Sequence, residues 1–139
     1  MTVRFLLDTN VLAESLRPKP DPNVMDNLQR HQGEIAIATV VWHEMWYGCY
    51  RLPPSAKRHA IETYLTQVVG PSMPILAYDE EAAIWHAAER DRLARLGKTP
   101  PYADGMIASV AKTNDLAVVT FNLADFSSFR DLRIENWQG

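Results

Sequence analysis

The sequence predicts a three-layer α/β/α sandwich with a mainly parallel central sheet. Apolar runs at residues 3–7, 35–39 and 116–120 ("LAVVT") lack polar alternation, as strands covered on both faces do. Stretches with helical character lie between them, and strands alternating with helices imply parallel pairing. The prolines fall between the stretches and not inside them.

In chain order, residues 3–7 form the first strand, and "DTN" at residues 8–10 offers preferred capping residues for a helix carrying Val11 and Leu12. Pro18, Pro20 and Pro22 separate that helix from a second over residues 23–31. A strand over 35–39 leads into a helix over 39–50, and Pro53 and Pro54 precede another over 55–69. Residues 75–78 are a weaker strand. A long helix over 79–96 ends at Gly97, Pro100 and Pro101, and a last one over 102–113 feeds the strand at 116–120. "TFNLADF", residues 120–126, reads as a polar turn.

A chain of 139 residues with 47% hydrophobic and 22% charged residues is expected to form one domain, residues 1–139, with a core that needs no disulfide or metal staple. Cys49 is the only cysteine, which excludes an internal disulfide and suits a reducing cytoplasm. No stretch resembles a secretory signal or spans a bilayer, so no membrane is expected. The net charge of −3 lacks the basic footprint of a protein that holds nucleic acid by charge alone, so any such binding must be local or metal-assisted.

Four carboxylates stand out against this background. In a parallel sheet ligands bind beyond the carboxyl ends of the strands, which places Asp8 and the stretch after Thr120 on one rim. Glu44 shares a helix face with Val40, Val41 and Gly48 and is expected to look inward. Asp104 heads a stripe formed by Ile107, Ala108 and Ala111. Asp125 and Asn122 follow the last strand as Asp8 follows the first. Singly, each has an ordinary explanation as a helix cap, a dipole partner or a solvated charge. Gathered together they would repel one another unless a cation neutralised them. An all-oxygen set without His or Cys suits Mg²⁺, or Mn²⁺, and Mg²⁺ is commonly completed by substrate phosphates.

The chain resembles the PIN-domain ribonucleases, and within them the VapC toxins of bacterial toxin–antitoxin pairs. The resemblance runs from Leu6 to Trp137 and rests on "LLDTNVL", the T-x4-E-x3-G pattern from Thr39 to Gly48, "ADGMIASVA", "VVTFNLADF" and "LRIENW". It implies a Mg²⁺-dependent endoribonuclease in which Asp8, Glu44 and Asp104 form the metal site and a metal-activated water attacks phosphorus. Position 122 is often Asp in the family and is Asn here. Either Asn122 reaches the metal through its carbonyl or a water, or Asp125 supplies the fourth charge; the expectation is that Asp125 adds charge and Asn122 holds a water. Asn10, Thr39 and Thr120 are expected to orient carboxylates or water around these groups. The resemblance also implies a VapB-type antitoxin partner, an RNA substrate and a homodimer.

Trp42, Met45, Trp46 and Cys49, flanked by Tyr47 and Tyr50, are assigned to the opposite side of the Glu44 helix, where they would meet the partner, with packing in the core as the alternative. Arg17, Lys19, Arg51, Lys57, Arg58, Arg90, Arg92, Arg95 and Lys98 are read first as solvated helix faces. His31, His43, His59 and His86 are read as surface or capping residues. Two rival functions are a phosphohydrolase with Asp8 as covalent nucleophile and a catalytically weak PIN-like module that binds RNA or protein. The first commonly has an acid where this chain has Asn10. No glycine-rich phosphate loop points to a nucleoside triphosphatase.

Overall fold

The computed structural model describes residues 2–139. Five short strands, β1 (Phe5–Leu7), β2 (Ile35–Ala38), β3 (Ile75–Leu76), β4 (Ala117–Val119) and β5 (Ile134–Glu135), pair in the order β3-β2-β1-β4-β5. Every pairing is parallel, with Phe5 in register with Ile35 on one side and with Ala117 on the other. β1, β2 and β4 are buried at every residue, as their unbroken apolar runs predict.

The helices follow their capping chemistry. Asp8 caps α1 (Thr9–Ala13), and a 3₁₀ turn, Glu14–Leu16, continues it. Asp21 caps α2 (Pro22–Arg30), whose first residue is a proline that needs no hydrogen-bond acceptor there. The second predicted strand gives way to α3 (Thr39–Tyr50) at Thr39 itself. Ser55 caps α4 (Ala56–Thr63), after which the predicted helix loosens into a π-helical segment, Tyr64–Val69, and a single turn, α5 (Gly70–Ser72). The Tyr64 hydroxyl in that segment donates to the Leu12 carbonyl at 2.8 Å and ties it to α1. Asp79 caps α6 (Glu80–Arg95), and α7 (Tyr102–Thr113) packs between α6 and the sheet.

Further features depart from expectation. Residues 120–126 are not only a polar turn, because Leu123–Phe126 forms α8 and buries Phe126. β5 adds a fifth strand; two residues are too few for a readable period. On α3 the buried line is Val41, Met45 and Cys49, spaced four apart, whereas Gly48 is exposed. Met45 and Cys49 therefore belong to the core and not to a partner-facing side, and Trp42 and Trp46 are half-buried against it. Tyr47 and Tyr50 remain exposed.

His86 is also not a surface residue. It is buried, accepts or shares a hydrogen bond with the Tyr78 hydroxyl through Nδ1 at 2.8 Å, and lies with Nε2 directly over Gly105 of α7. Burial, reinforced by the nearby charge of Arg90, holds its pKa below the usual imidazole range. A side chain at position 105 would occupy the space of the imidazole. Gly105→Ala is therefore expected to force α6 and α7 apart and to destabilise the protein by about 1–3 kcal/mol, measurable by urea unfolding. An unchanged midpoint would show that His86 can move aside freely.

Candidate active site

The strand order reverses at β1: the chain steps outward through β2 and β3, then returns to place β4 on the other side of β1. The crevice beyond the carboxyl ends of β1 and β4 is thus the expected ligand position of such a sheet. Asp8 stands there. Its amide donates to the Val119 carbonyl at 2.8 Å, so the backbone ladder between β1 and β4 reaches into the site.

Both carboxylate oxygens of Asp8 are held. One accepts from the Thr9 amide at 2.8 Å and the other from the Thr120 hydroxyl at 2.8 Å, with Asp8 only 7% exposed and Thr120 fully buried. The Thr120 hydroxyl oxygen in turn accepts from the Asn122 amide at 3.0 Å. Across the crevice, the Thr9 hydroxyl donates to Glu44 at 3.0 Å and so joins α1 to α3. Asp104 enters from the first turn of α7, and Asp125 from the first turn of α8, where its side chain is exposed.

The four carboxylates act on one another. The Asp104 pKa is pushed up to about 6, first by burial and then by the negative charges of Asp8, Asp125 and Glu44. Asp8 is raised as well; burial dominates, Asp125 adds to it, and the hydrogen bonds from Thr120 and Thr9 oppose it. Two other buried carboxylates show how different this is. Glu89 is paired with Arg92 at 2.7 Å and accepts from the Arg130 amide, and Glu14 is paired with Arg17 and accepts from the Asp21 amide. Asp8, Glu44, Asp104 and Asp125 form no ion pair among the described residues.

This donor set fits a hard divalent cation: it is all oxygen, anionic, and lacks any countercharge from the protein. The buried Asn10 side-chain oxygen, two residues beyond Asp8, has no hydrogen-bond partner among the described residues, an acceptor that costs free energy until something donates to it or binds it. No group of three His, Cys, Asp or Glu side chains among the described residues is gathered closely enough to hold a metal ion as it stands, so these carboxylates would have to draw together around one, with water and substrate oxygens completing its ligands.

Of the residues expected at the site, Asp8, Glu44, Asp104, Asp125, Thr120 and the Asn122 backbone are thus linked by hydrogen bonds or by charge. Thr39 is not: it is exposed at the start of α3, and its hydroxyl makes no hydrogen bond among the described residues. The hydroxyl on Glu44 comes from Thr9 instead. Its position directly after Asp8 was the available signal, masked by the ordinary role of threonine at a helix start.

Comparison with known proteins shows the family. The PIN domain family model matches residues 5–132. The chain belongs to the PIN-domain family. Within it, the chain is 33% identical over 138 residues to the tRNA(fMet)-specific endonuclease VapC of Salmonella typhimurium, covering 97% of this chain and 98% of the relative. Among solved structures, FitAcB from Neisseria gonorrhoeae superposes with a TM-score of 0.88 at 31% identity, covering 95% of this PIN chain and 96% of that one. DNA-bound VapBC from Salmonella typhimurium gives 0.84 at 29% identity, covering 97% and 98%.

The electrostatics of this PIN domain yield a stability test. A carboxyl whose folded-state pKa exceeds its unfolded value binds protons more readily when folded, so acid favours folding. The stabilisation is full below the model-peptide value of 3.8 and is lost as pH rises through about 6. Removing the charge should relieve the penalty. In EDTA at pH 7.5, Asp104→Asn is expected to exceed the parent by about 1 kcal/mol after allowance for solvent screening, or roughly 2–5 °C in Tm. The difference should vanish near pH 4. Equal melting temperatures across that range would show that the carboxylates do not strain the fold.

Proposed function

We propose that the chain is a VapC-type toxin: a single PIN domain, residues 1–139, that cleaves RNA phosphodiester bonds with the help of a divalent cation, Mg²⁺ in the cell. The observation that carries this reading is the convergence of four carboxylates, without a basic partner, on the crevice beyond β1 and β4. Structural carboxylates in the same molecule are neutralised by arginine; these four are left for a cation. The relatives named ribonuclease or endonuclease supply the substrate class, and the VapBC and FitAB complexes among the solved structures supply the partner, a VapB-type antitoxin.

In this reading Asp8, Glu44, Asp104 and Asp125 hold the cation. When bound, such an ion makes water acidic enough to attack phosphorus and offsets charge on the phosphate. The residues of the chain do the positioning. Thr120 and the Thr9 amide fix both oxygens of Asp8, and the Thr9 hydroxyl fixes Glu44. Asp125 acts through its charge on Asp8 and Asp104, while the Asn122 side chain orients a water and Asn10 offers its free carbonyl oxygen. Because both Asp8 oxygens already accept hydrogen bonds, Asp8 suits a fixed ligand better than an attacking nucleophile, which weighs against a covalent phosphohydrolase. We place the active protein in the cytoplasm as a homodimer; no helix among the described residues is long and apolar enough to cross a membrane.

The test is end-sequencing of RNA fragments after controlled expression, comparing the parent with Asp8→Asn and Asp104→Asn. The parent is expected to leave discrete new ends and both variants none, although circular dichroism shows them folded; full cleavage by either would refute the assignment. Cleavage in vitro should stop in EDTA and return with Mg²⁺. Thr9→Val and Thr120→Val remove a hydroxyl and leave the carboxylates, so each is expected to lower cation affinity or cleavage about 10–100-fold. Asp125→Asn should cost more activity than Asn122→Ala if Asp125 supplies the fourth charge.

A further inference from the structure

A second recess opens on the same helix turn that carries Asp104. It is a cavity of about 140 Å³ between α6, the loop that follows it and the start of α7, lined by His86, Arg90, Pro101, Tyr102, Gly105 and Phe129, among others. That volume is well below the roughly 300–1,000 Å³ of pockets that enclose a whole small-molecule ligand. It has room for one planar group.

The walls have the chemistry of a stacking site. Tyr102, two residues before Asp104, is 53% exposed. The Arg90 guanidinium lies over its ring, 5.2 Å from the centroid. Arg92 and Arg95 on the same helix are committed to Glu89 and Asp91, but Arg90 forms no ion pair among the described residues. The floor is rigid: His86 is locked by Tyr78 and pressed against Gly105, its ring 4.8 Å from that of Tyr102, and Phe129 is buried behind it. A half-exposed aromatic ring two residues before Asp104, with a cation resting on it that forms no ion pair among the described residues, is the combination by which proteins grip single-stranded nucleic acid.

We propose that this cavity takes one unstacked nucleobase of the RNA, the base attached to the nucleotide next to the phosphate held at the carboxylates. Arg90 swings from the Tyr102 ring to the adjoining phosphate, and the base takes its place on the ring. The inference rests on the ribonuclease reading above for the identity of the strand. It adds a specificity-determining contact, so that the bond cut depends on which base can leave its stack and enter.

The test uses RNA oligonucleotides in which 2-aminopurine replaces each base in turn across the mapped cleavage site, with Ca²⁺ in place of Mg²⁺ so that binding is read without cleavage. At one position beside the scissile bond the parent is expected to quench the fluorophore. Tyr102→Ala should abolish that quenching and weaken binding roughly ten-fold, whereas Tyr102→Phe should keep both. In Mg²⁺, Tyr102→Ala should raise KM far more than it lowers kcat, and an abasic site at that position should cost the parent but not the variant. RNA that binds without position-specific quenching, or a Tyr102→Ala variant that loses kcat alone, overturns the proposal. So does a variant with unchanged RNA binding but weakened antitoxin binding, since the cavity would then receive a protein side chain. Position-specific quenching in a protein that cuts no RNA would uphold the base site and refute the nuclease reading instead.

Discussion

The parallel pairing of β1 with β2 on one side and β4 on the other governs the arrangement of the molecule. Parallel strands end on the same edge, so whatever follows β1, β2 and β4 is delivered to one rim. Asp8 follows β1, α3 with Glu44 follows β2, and Thr120 and the α8 turn follow β4. The reversal of strand order at β1 then leaves a gap at that rim, because the connections leaving β1 and β4 diverge. The Asp8 amide extends the ladder to Val119, so the carboxylate is placed by main-chain hydrogen bonding and not by a mobile loop.

Collecting negative charge in such a place opposes folding. The protein moderates the cost with neutral donors: the hydroxyls of Thr9 and Thr120 and the amide of Thr9. A basic residue would have neutralised the group more completely, as Arg92 does for Glu89, but it would also have occupied the space and charge a cation needs. The contrast separates carboxylates that fasten the structure from those that are kept available. Glu89 joins α6 to the loop at residues 128–130 through Arg92 and the Arg130 amide, and Glu14 fastens the turn before α2.

α7 links this charged crevice to the second recess. Its first turn carries Tyr102, Asp104 and Gly105 in succession, and the close seat of His86 on Gly105 sets how that turn lies against α6. A change in the α6–α7 contact therefore moves a proposed cation ligand and a proposed base contact together. This is one physical reason for a buried imidazole there: it fills space and bonds Tyr78 between the two helices.

By itself the sequence determined the alternation of buried strands and capped helices, because unbroken apolar runs, capping residues and prolines are local signals that do not depend on the rest of the chain. It also marked Asp8, Glu44, Asp104 and Asp125, since a carboxylate that follows a core strand or shares a helix face with apolar residues is visible without coordinates. What it could not settle was which side chains touch. Thr9 and not Thr39 reaches Glu44, Met45 and Cys49 face the core, His86 is buried, and β5 and α8 exist at all only because neighbouring elements supply their pairing and packing. Each of those outcomes depends on contacts between residues far apart in the chain, or on elements too short to carry a period, and such contacts are decided only when the sheet closes and the helices settle on it.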